Sequence, residues 1–371
     1  MSLSLYYFLY NENQDTNMIK KFGYTLWVAG LFLVFSNAWA ARQVTDQLGR
    51  TVTIPDHVNR VVVLQHQTLN LLVQLDAQES IVGVLSSWKK QLGEHYVRLA
   101  PRLADLPMLG DLTQVNIESL LKLSPQVVFV ANYAPPEMIA QIERTGIPVV
   151  AISLRQDQPG EADKINPTMG DENTVYNEGL KAGIRLIGDV VERQKQAEAL
   201  IDYTFTQRQN VSARLESIPE EKRIRVYMAN PDLTTYGSGK YTGLMMSHAG
   251  ALNVAAASIK GFKQVSIENV LSWNPEVIFV QDRYPDVVKQ IVNAPAWQAI
   301  EAVKQHRVYL MPEYAKAWGY PMPEALAIGE LWMAKKLYPE RFADIDMQKA
   351  ADAYYQRFYR MDYRADTSAA Q

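Results

Sequence analysis

The chain of 371 residues contains no cysteine. This absence excludes disulfide bridges, thiolate metal sites and cysteine nucleophiles. It also excludes an N-terminal lipid-modified cysteine, so we expect no lipid anchor of that kind. The chain also lacks a large excess of either charge, since it has 37 Lys+Arg and 40 Asp+Glu and a net charge of −3. Without a basic block, nucleic acid is not expected as the main partner.

Long hydrophobic runs are scarce, and the one that stands out lies near the N-terminus. Met18 begins a segment that carries two lysines, an apolar run at 24–35 and an Ala-x-Ala site ending at Ala40. These are the three parts of a secretory signal peptide, and the run falls short of the roughly 20 residues that a membrane span needs. We therefore expect residues 1–40 to be a signal peptide with Met18 as the true start. Cleavage after Ala40 would release a periplasmic protein; an uncleaved anchor is the alternative.

An internal repeat is the most informative feature of the remaining chain. Residues 114–130 read Gln-Val-Asn-Ile-Glu-Ser-Leu-Leu-Lys-Leu-Ser-Pro-Gln-Val-Val-Phe-Val, and residues 264–280 read Gln-Val-Ser-Ile-Glu-Asn-Val-Leu-Ser-Trp-Asn-Pro-Glu-Val-Ile-Phe-Val. The offset is 150 with no gap. Each copy predicts a short helix capped near Asn116 or Ser266, a break at proline and then a buried strand. A period of this length is too long for a solenoid and indicates two similar lobes.

Unbroken apolar strands alternating with helical stretches indicate βαβ units and a parallel sheet in each half. The predicted strands are 61–64, 81–84, 127–130 and 149–153 in the first half, and 224–228, 277–280 and 308–311 in the second. The sequence therefore predicts an α/β fold of two lobes, each built on its own parallel sheet.

Proline is absent from 171–218, which Pro167 and Pro219 bracket. We expect a break at Gly188 and then one helix over 191–217, roughly 40 Å long at 1.5 Å per residue. Such a helix would join the two lobes, although a surface helix within one lobe is the alternative. These bounds give a signal peptide (1–40), an N-terminal lobe (41–170), a helical linker (171–218) and a C-terminal lobe (219–371).

Several motifs, in addition to the paired Ile-Glu…Pro-x-Val segments, resemble one protein family. They are Asp-Gln-Leu-Gly-Arg-Thr-Val-Thr-Ile-Pro at 46–55, Asn-Arg-Val-Val-Val-Leu at 59–64, Tyr-Gly-Ser-Gly-Lys at 236–240, Gly-Ala-Leu-Asn at 250–253, and Trp-Met-Ala with Leu-Tyr-Pro-Glu at 332–340. In this order they resemble the class III periplasmic substrate-binding proteins of ABC importers for ferric siderophores, haem and cobalamin. The resemblance covers about 43–363.

The resemblance implies two Rossmann-like lobes bridged by a rigid helix, with the ligand in the cleft between them. It also implies a monomer without a catalytic step or an intrinsic cofactor. An inner-membrane ABC permease and its ATPase would be the partners. In relatives one acidic residue on each lobe engages arginines of the permease. Glu137 and Asp286 stand at nearly equivalent points of the repeat and are the predicted docking residues, although both also suit the start of a helix.

Ligands of open α/β sheets lie beyond the carboxyl ends of the strands. Cations and aromatic side chains recur there and suit a bulky anionic chelate. We therefore expect an Fe(III) chelate as cargo, a ferric siderophore first, with cobalamin or haem and then a metal ion or nickel chelate as alternatives. The predicted ligand-binding residues are His66, Gln67, Trp88, Lys89, Tyr133, Arg155, Tyr236, Lys240, Tyr241, Arg283, Tyr284 and Trp318.

A metal or haem site, a phosphate loop and a hydrolase site are the alternatives to this interpretation. His66 directly follows a strand and could coordinate haem iron or a metal ion, or hydrogen-bond the ligand. No cluster of His, Asp and Glu accompanies it, so no bare metal site is predicted. The Gly-Ser-Gly-Lys segment at 237–240 lacks the Ser/Thr of a phosphate loop because Tyr241 stands there. A secreted hydrolase with a carboxylate pair is the enzyme alternative that the sequence leaves open.

Overall fold

A computed structural model describes residues 40–364, except for the side chain of His95. The predicted signal peptide therefore lies, apart from Ala40, outside the described residues, as do the last seven residues of the predicted C-terminal lobe. None of the described helices is long and apolar enough to cross a membrane.

The first half of the chain forms a four-stranded parallel sheet in the order β4-β3-β7-β8. Every residue of β3 and β7 is buried, as in a parallel sheet that is covered on both faces. Two short two-stranded sheets, β1-β2 and β5-β6, complete this half. The elements are β1 (Ala41–Thr45), β2 (Thr51–Pro55), β3 (Val61–Val63), α1 (His66–Gln74), β4 (Ile81–Val84), α2 (Trp88–Leu92), β5 (Gly110–Asp111), β6 (Gln114–Val115), α3 (Ile117–Leu123), β7 (Val127–Ala131), α4 (Pro136–Glu143) and β8 (Val149–Ile152).

The second half repeats this arrangement in the order β11-β9-β13-β14, again all parallel. The α/β prediction of two lobes with parallel sheets is confirmed. The elements are α5 (Glu172–Val190) and α6 (Gln194–Leu215) between the sheets, then β9 (Ile224–Ala229), β10 (Thr234–Tyr236), α7 (Tyr241–His248), β11 (Ala251–Asn253), β12 (Phe262–Gln264), α8 (Ile267–Trp273), β13 (Val277–Val280), α9 (Pro285–Asn293), α10 (Glu301–Lys304), β14 (Val308–Leu310), a π-helix (Ala325–Gly329), α11 (Glu330–Leu337) and α12 (Met347–Phe358).

The internal repeat has the same local structure in both halves. Asn116 caps α3 by accepting from the Ser119 backbone N–H, and Ser266 caps α8 by accepting from the Asn269 N–H. Both helices end at a residue with positive φ, and the strands that follow, β7 and β13, hold the same third place in their sheets. The capping predicted at 116 and 266 is confirmed.

The helical segment differs from the prediction in its break. Helix α5 continues through Gly188 to Val190, and the turn falls at 191–193, where Glu192 has a φ of 57°. A Cβ on Gly188 would lie 2.7 Å from the Cβ of Ala197, so this glycine permits close packing of α5 against α6 and does not break the helix. The helix predicted over 191–217 is therefore shorter, roughly 33 Å over its 22 residues.

A buried ion pair fixes α6 to the second half. The Arg208 guanidinium donates from Nε and Nη2 to the two oxygens of Glu330, at 2.9 and 2.6 Å. The hydroxyl of Tyr241 also donates to Glu330, and a ring nitrogen of His248 lies 3.1 Å from it. Although burial alone would raise it, Arg208 and His248 lower the pKa of Glu330 to about 2.

Glu330→Gln should destabilise the protein by about 3–5 kcal/mol, because it leaves the buried Arg208 without a counter-charge. Urea unfolding measures this free energy. The control is Glu198→Gln, since Glu198 forms a similar two-bond pair with Arg185 on the surface, at 2.7 and 2.9 Å. The Glu198→Gln control should lower the free energy of unfolding by less than about 1 kcal/mol. Equal losses in the two variants would contradict the structural role of Glu330.

Candidate functional site

Both sheets place a candidate site at the point where their strand order reverses. This point lies between β3 and β7 in the first sheet and between β9 and β13 in the second. Loops leaving the two neighbouring strands turn to opposite faces there and open a crevice that ligands use. His66 and Gln67 follow β3, and Arg283 follows β13. The rings of His66 and Trp318 lie 5.5 Å apart, edge to face, and join the two halves at this site.

Helix α1 begins in this crevice without a cap. All nine of its residues are buried, and no side chain caps its first turn. The backbone N–H groups of His66, Gln67 and Thr68 have no acceptor among the described residues. Helix N-termini carry partial positive charge and bind anions through such N–H groups. An uncapped, buried N-terminus is therefore the first mark of an anion site.

The two side chains at this helix start are also unsatisfied. His66 and Gln67 are 6% and 3% exposed, and His66 Nδ1 and Gln67 Oε1 have no hydrogen-bond partner in the described structure. Burial, assisted by the charges of Arg283 and Lys316, lowers the pKa of His66 to about 3. The imidazole is therefore neutral at pH 7, and it offers one N–H donor rather than a charge. Buried polar groups of this kind normally have a partner, so these atoms are available to a ligand or to water.

Arg283 supplies the positive charge of this group. Its Nε donates to Gln281 at 3.2 Å, and the Gln281 amide in turn donates to Asn230 at 2.5 Å. These two buried amides orient the guanidinium. Its two terminal amino groups form no hydrogen bond or ion pair with any described residue, and its Cζ lies 6.0 Å from the centre of the Trp318 ring. A guanidinium with two free amino groups can bind two oxygens of one anion.

A second group of predicted residues is satisfied internally. Arg155 is 2% exposed, forms an ion pair with Asp157 at 3.0 and 3.1 Å, and donates to the Lys164 carbonyl. The amine of Lys240 donates to the carbonyl of Ile165 at 2.6 Å. Burial, with a contribution from Arg155, lowers the pKa of Lys240 to about 8. These cations therefore hold the 156–170 segment in place. Their hydrogen bonds within the protein leave fewer donor groups for a ligand.

The aromatic side chains that were predicted to line the site are distributed over several environments. Tyr133 is partly buried, and burial together with the nearby Tyr320 raises its pKa. Tyr236 packs its ring 4.6 Å from Phe262, and Tyr284 lies 5.2 Å from Arg283. Three more residues have other surroundings. Trp88 is buried in the hydrophobic core, and the exposed Lys89 lies over its ring. Tyr241 donates to Glu330 in the second half.

The predicted docking residues lie on the surface. Glu137 and Asp286 are exposed in the first turns of α4 and α9, and Asp286 pairs with Lys289 at 3.3 Å. The structure adds a second acidic pair, Glu118 and Glu268, exposed in the first turns of α3 and α8 and separated by the repeat offset of 150. Helices α4 and α9 directly follow β7 and β13 and therefore begin at the carboxyl edges of their sheets.

Two features of the site were missed by sequence reasoning. One is the set of N–H groups without acceptors at the start of α1. The residues Gln-His-Gln at 65–67 match no known anion-binding motif, so the sequence does not reveal this feature. The other is Lys316, a buried cation 4.9 Å from the Trp318 ring. Lys316 could have been predicted from its position, because it lies two residues before Trp318 in the segment that follows β14.

Comparisons with known proteins identify the fold. Residues 61–315 match the model of a family described as periplasmic binding protein. The chain belongs to the periplasmic binding protein family. It is 64% identical over 333 residues to the molybdate-binding protein MolA of Haemophilus influenzae, covering 90% of this chain and 95% of the relative. The structure of that MolA with bound molybdate superposes with a TM-score of 0.85 at 65% identity, covering 88% and 100% of the two chains.

A more distant periplasmic solute-binding protein, from Veillonella parvula, has a TM-score of 0.71 at 26% identity, covering 88% of this chain and 94% of its own. The predicted resemblance to substrate-binding proteins of ABC importers is thus confirmed, and this periplasmic binding protein is not an enzyme.

The prediction of an iron chelate as cargo is wrong, because the relative with 64% identity binds molybdate. The physical reason lies in the second group of residues. A bulky chelate would need Arg155, Lys240 and their aromatic neighbours as open surface. The structure instead holds Arg155 against Asp157 and Lys240 against a backbone carbonyl, with Tyr236 only 8% exposed.

His66→Gln should make stability less sensitive to acid. The pKa of His66 is lower in the folded state, so below pH 6.5 the unfolded state binds the extra proton and stability is lost as the pH falls toward 3. Between pH 7 and 4.5 the wild type should lose about 2–3 kcal/mol more than the variant. Urea unfolding at both pH values measures this difference. The exposed His306, changed to Asn, serves as the control and should keep the wild-type pH dependence; parallel curves for His66→Gln and the wild type would contradict the burial argument.

Proposed function

We propose that this protein captures a small tetrahedral oxyanion, molybdate or its close analogue tungstate, in the crevice between its two sheets. The observation that supports this most directly is the uncapped N-terminus of α1, whose N–H groups at 66–68 face the site without an acceptor. Arg283 approaches the same point from the other half. The name of the MolA relative supplies the specific anion.

The chemistry of the donors fits an anion that carries no proton. Backbone N–H groups, a guanidinium and a neutral imidazole can donate hydrogen bonds together to several oxygens. His66 stays uncharged, so the positive charge comes from Arg283 and Lys316 and from the helix dipole. A bound dianion would favour the imidazolium form and raise the pKa of His66. Binding should therefore be accompanied by proton uptake at acidic pH.

The proposed ligand-binding residues are accordingly His66, Gln67, Arg283 and Trp318. Arg155, Lys240, Tyr133 and Tyr236 would instead form the walls that limit the size of the ligand. We also propose that the predicted lobes (41–170 and 219–371) and linker (171–218) act as one carrier. It would be exported by residues 1–40 and would deliver its anion to an ABC permease.

The direct test is isothermal titration of the folded protein with sodium molybdate and sodium tungstate. We expect one site per chain, and Arg283→Met should lower the affinity at least roughly tenfold because a charge-assisted contact is lost. A thermal shift under excess molybdate should accompany binding.

The matched control is Arg225→Met, which removes a surface arginine that pairs with Glu276 at 3.2 Å. This variant should bind like the wild type. Ferric chelates should leave the stability unchanged. Failure of both molybdate and tungstate to bind the wild type would contradict the proposal.

Docking to the permease is proposed for two acidic pairs. Glu137 and Asp286 remain the pair predicted from sequence, and Glu118 and Glu268 are the pair that the repeat relates without any shift in register. A partner built with two-fold symmetry would meet equivalent side chains on the two halves. Neither Glu118 nor Glu268 forms an ion pair with another described residue, whereas Asp286 pairs with Lys289.

Charge reversal to lysine at both members of a pair should lower molybdate uptake by cells while leaving the affinity of the purified protein unchanged. We expect the larger loss for Glu118→Lys with Glu268→Lys, because these carboxylates form no ion pair with a described residue and are separated by the repeat offset of 150. Radiolabelled molybdate uptake and titration calorimetry measure the two effects. Normal uptake in both double variants would rule out docking through these residues.

A further inference from the structure

A second buried cation, Lys316, belongs to the same group of side chains. It is 3% exposed, and its Nζ donates to the carbonyl of Glu313 at 3.0 Å. The same Nζ lies 4.9 Å from the centre of the Trp318 ring. That ring lies 5.5 Å from His66 and 6.0 Å from the Arg283 guanidinium. One indole thus contacts the helix start, the arginine and the lysine.

The carboxylate closest to Lys316, that of Glu324, also binds helix α1. Glu324 Oε1 lies 3.6 Å from Nζ, beyond a direct hydrogen bond. The two oxygens of Glu324 accept from Asn70 at 2.7 Å and Gln74 at 2.9 Å. Asn70 and Gln74 follow His66 at four-residue intervals and share its face of α1. Glu324 therefore links α1 to Lys316, with which it forms a buried ion pair at 3.6 Å.

The charge of Lys316 acts on both sides of the site. With burial and Arg283, it contributes to the low pKa of His66. On the opposite side it counteracts the burial that raises the pKa of Asp282. A cation that influences groups from both halves acts on any ion placed between them.

We infer that Lys316 sets the preference of this site for doubly charged over singly charged oxyanions. The inference rests on the proposed anion-binding function. Lys316 and Arg283 together supply two positive charges. A charge at a fixed position attracts a dianion twice as strongly as a monoanion of the same shape. Loss of the lysine charge should therefore lower the affinity for a dianion more than the affinity for a monoanion.

The test compares molybdate with perrhenate, a tetrahedral oxyanion that carries one negative charge. Titration calorimetry of the full chain gives both affinities, and their ratio is the readout. Lys316→Met should lower the molybdate-to-perrhenate ratio roughly tenfold. Lys316→Arg should restore most of it. Lys335→Met is the control, since Lys335 also donates to backbone carbonyls, of Phe342 and Ile345, but on α11; it should keep the wild-type ratio.

A second uncharged variant tests the same charge if Lys316→Met fails to fold. Lys316→Gln removes the charge but keeps an N–H donor for the carbonyl of Glu313. A lowered ratio in either folded variant supports the role of Lys316. A wild-type ratio in a folded variant overturns it while leaving the anion site intact. Binding of neither anion by the wild type overturns the proposed function and this inference with it.

Discussion

The buried helix α1 is the element on which the rest of the site depends. All nine residues are buried, so the polar groups on the helix need partners inside the protein or in the crevice. At its far end Asn70 and Gln74 have partners in Glu324, Tyr96 and Tyr354. At its start the N–H groups at 66–68 have none within the described part of the chain. The helix is thus anchored by side chains at one end, while the other end keeps N–H donors that a ligand could use.

The same anchoring makes the site rigid before any ligand arrives. Several polar bonds connect the first half of the chain with the second: Glu324 with α1, Arg98 with Glu313, and Arg155 with the Tyr320 hydroxyl at 3.3 Å. Glu172, on the intervening helix α5, accepts from the Gly239 N–H at 2.9 Å. Binding to such a site orders few additional side chains, so little affinity is lost to conformational entropy. A small anion with few atoms depends on this rigidity, because it can form only a few contacts.

The sequence predicted the sheets well because their signal is local. Strand 81–84 has the predicted bounds, and the repeated strands begin at 127 and 277 as expected. Strand β11 was missed because three residues, one of them the exposed Leu252, give no run of apolar side chains. Gly188 was read as a helix break because its role, the close approach of Ala197, depends on a second helix. Local patterns do not contain that information.

The cargo was beyond the reach of sequence patterns for an electrostatic reason. Arg155 and Arg283 look alike in sequence, since each follows a strand and has an aspartate within two residues. In the fold Asp157 binds Arg155 and removes its charge from the cleft, whereas Asp282 forms no ion pair with Arg283. The difference arises from Gln281 and Asn230, which turn the Arg283 guanidinium toward Trp318. Counting cations at strand ends therefore overestimates both the charge and the size of the ligand. Unlike Arg155 and Lys240, Arg283 keeps its terminal amino groups free of described partners, and such a guanidinium suits a small oxyanion.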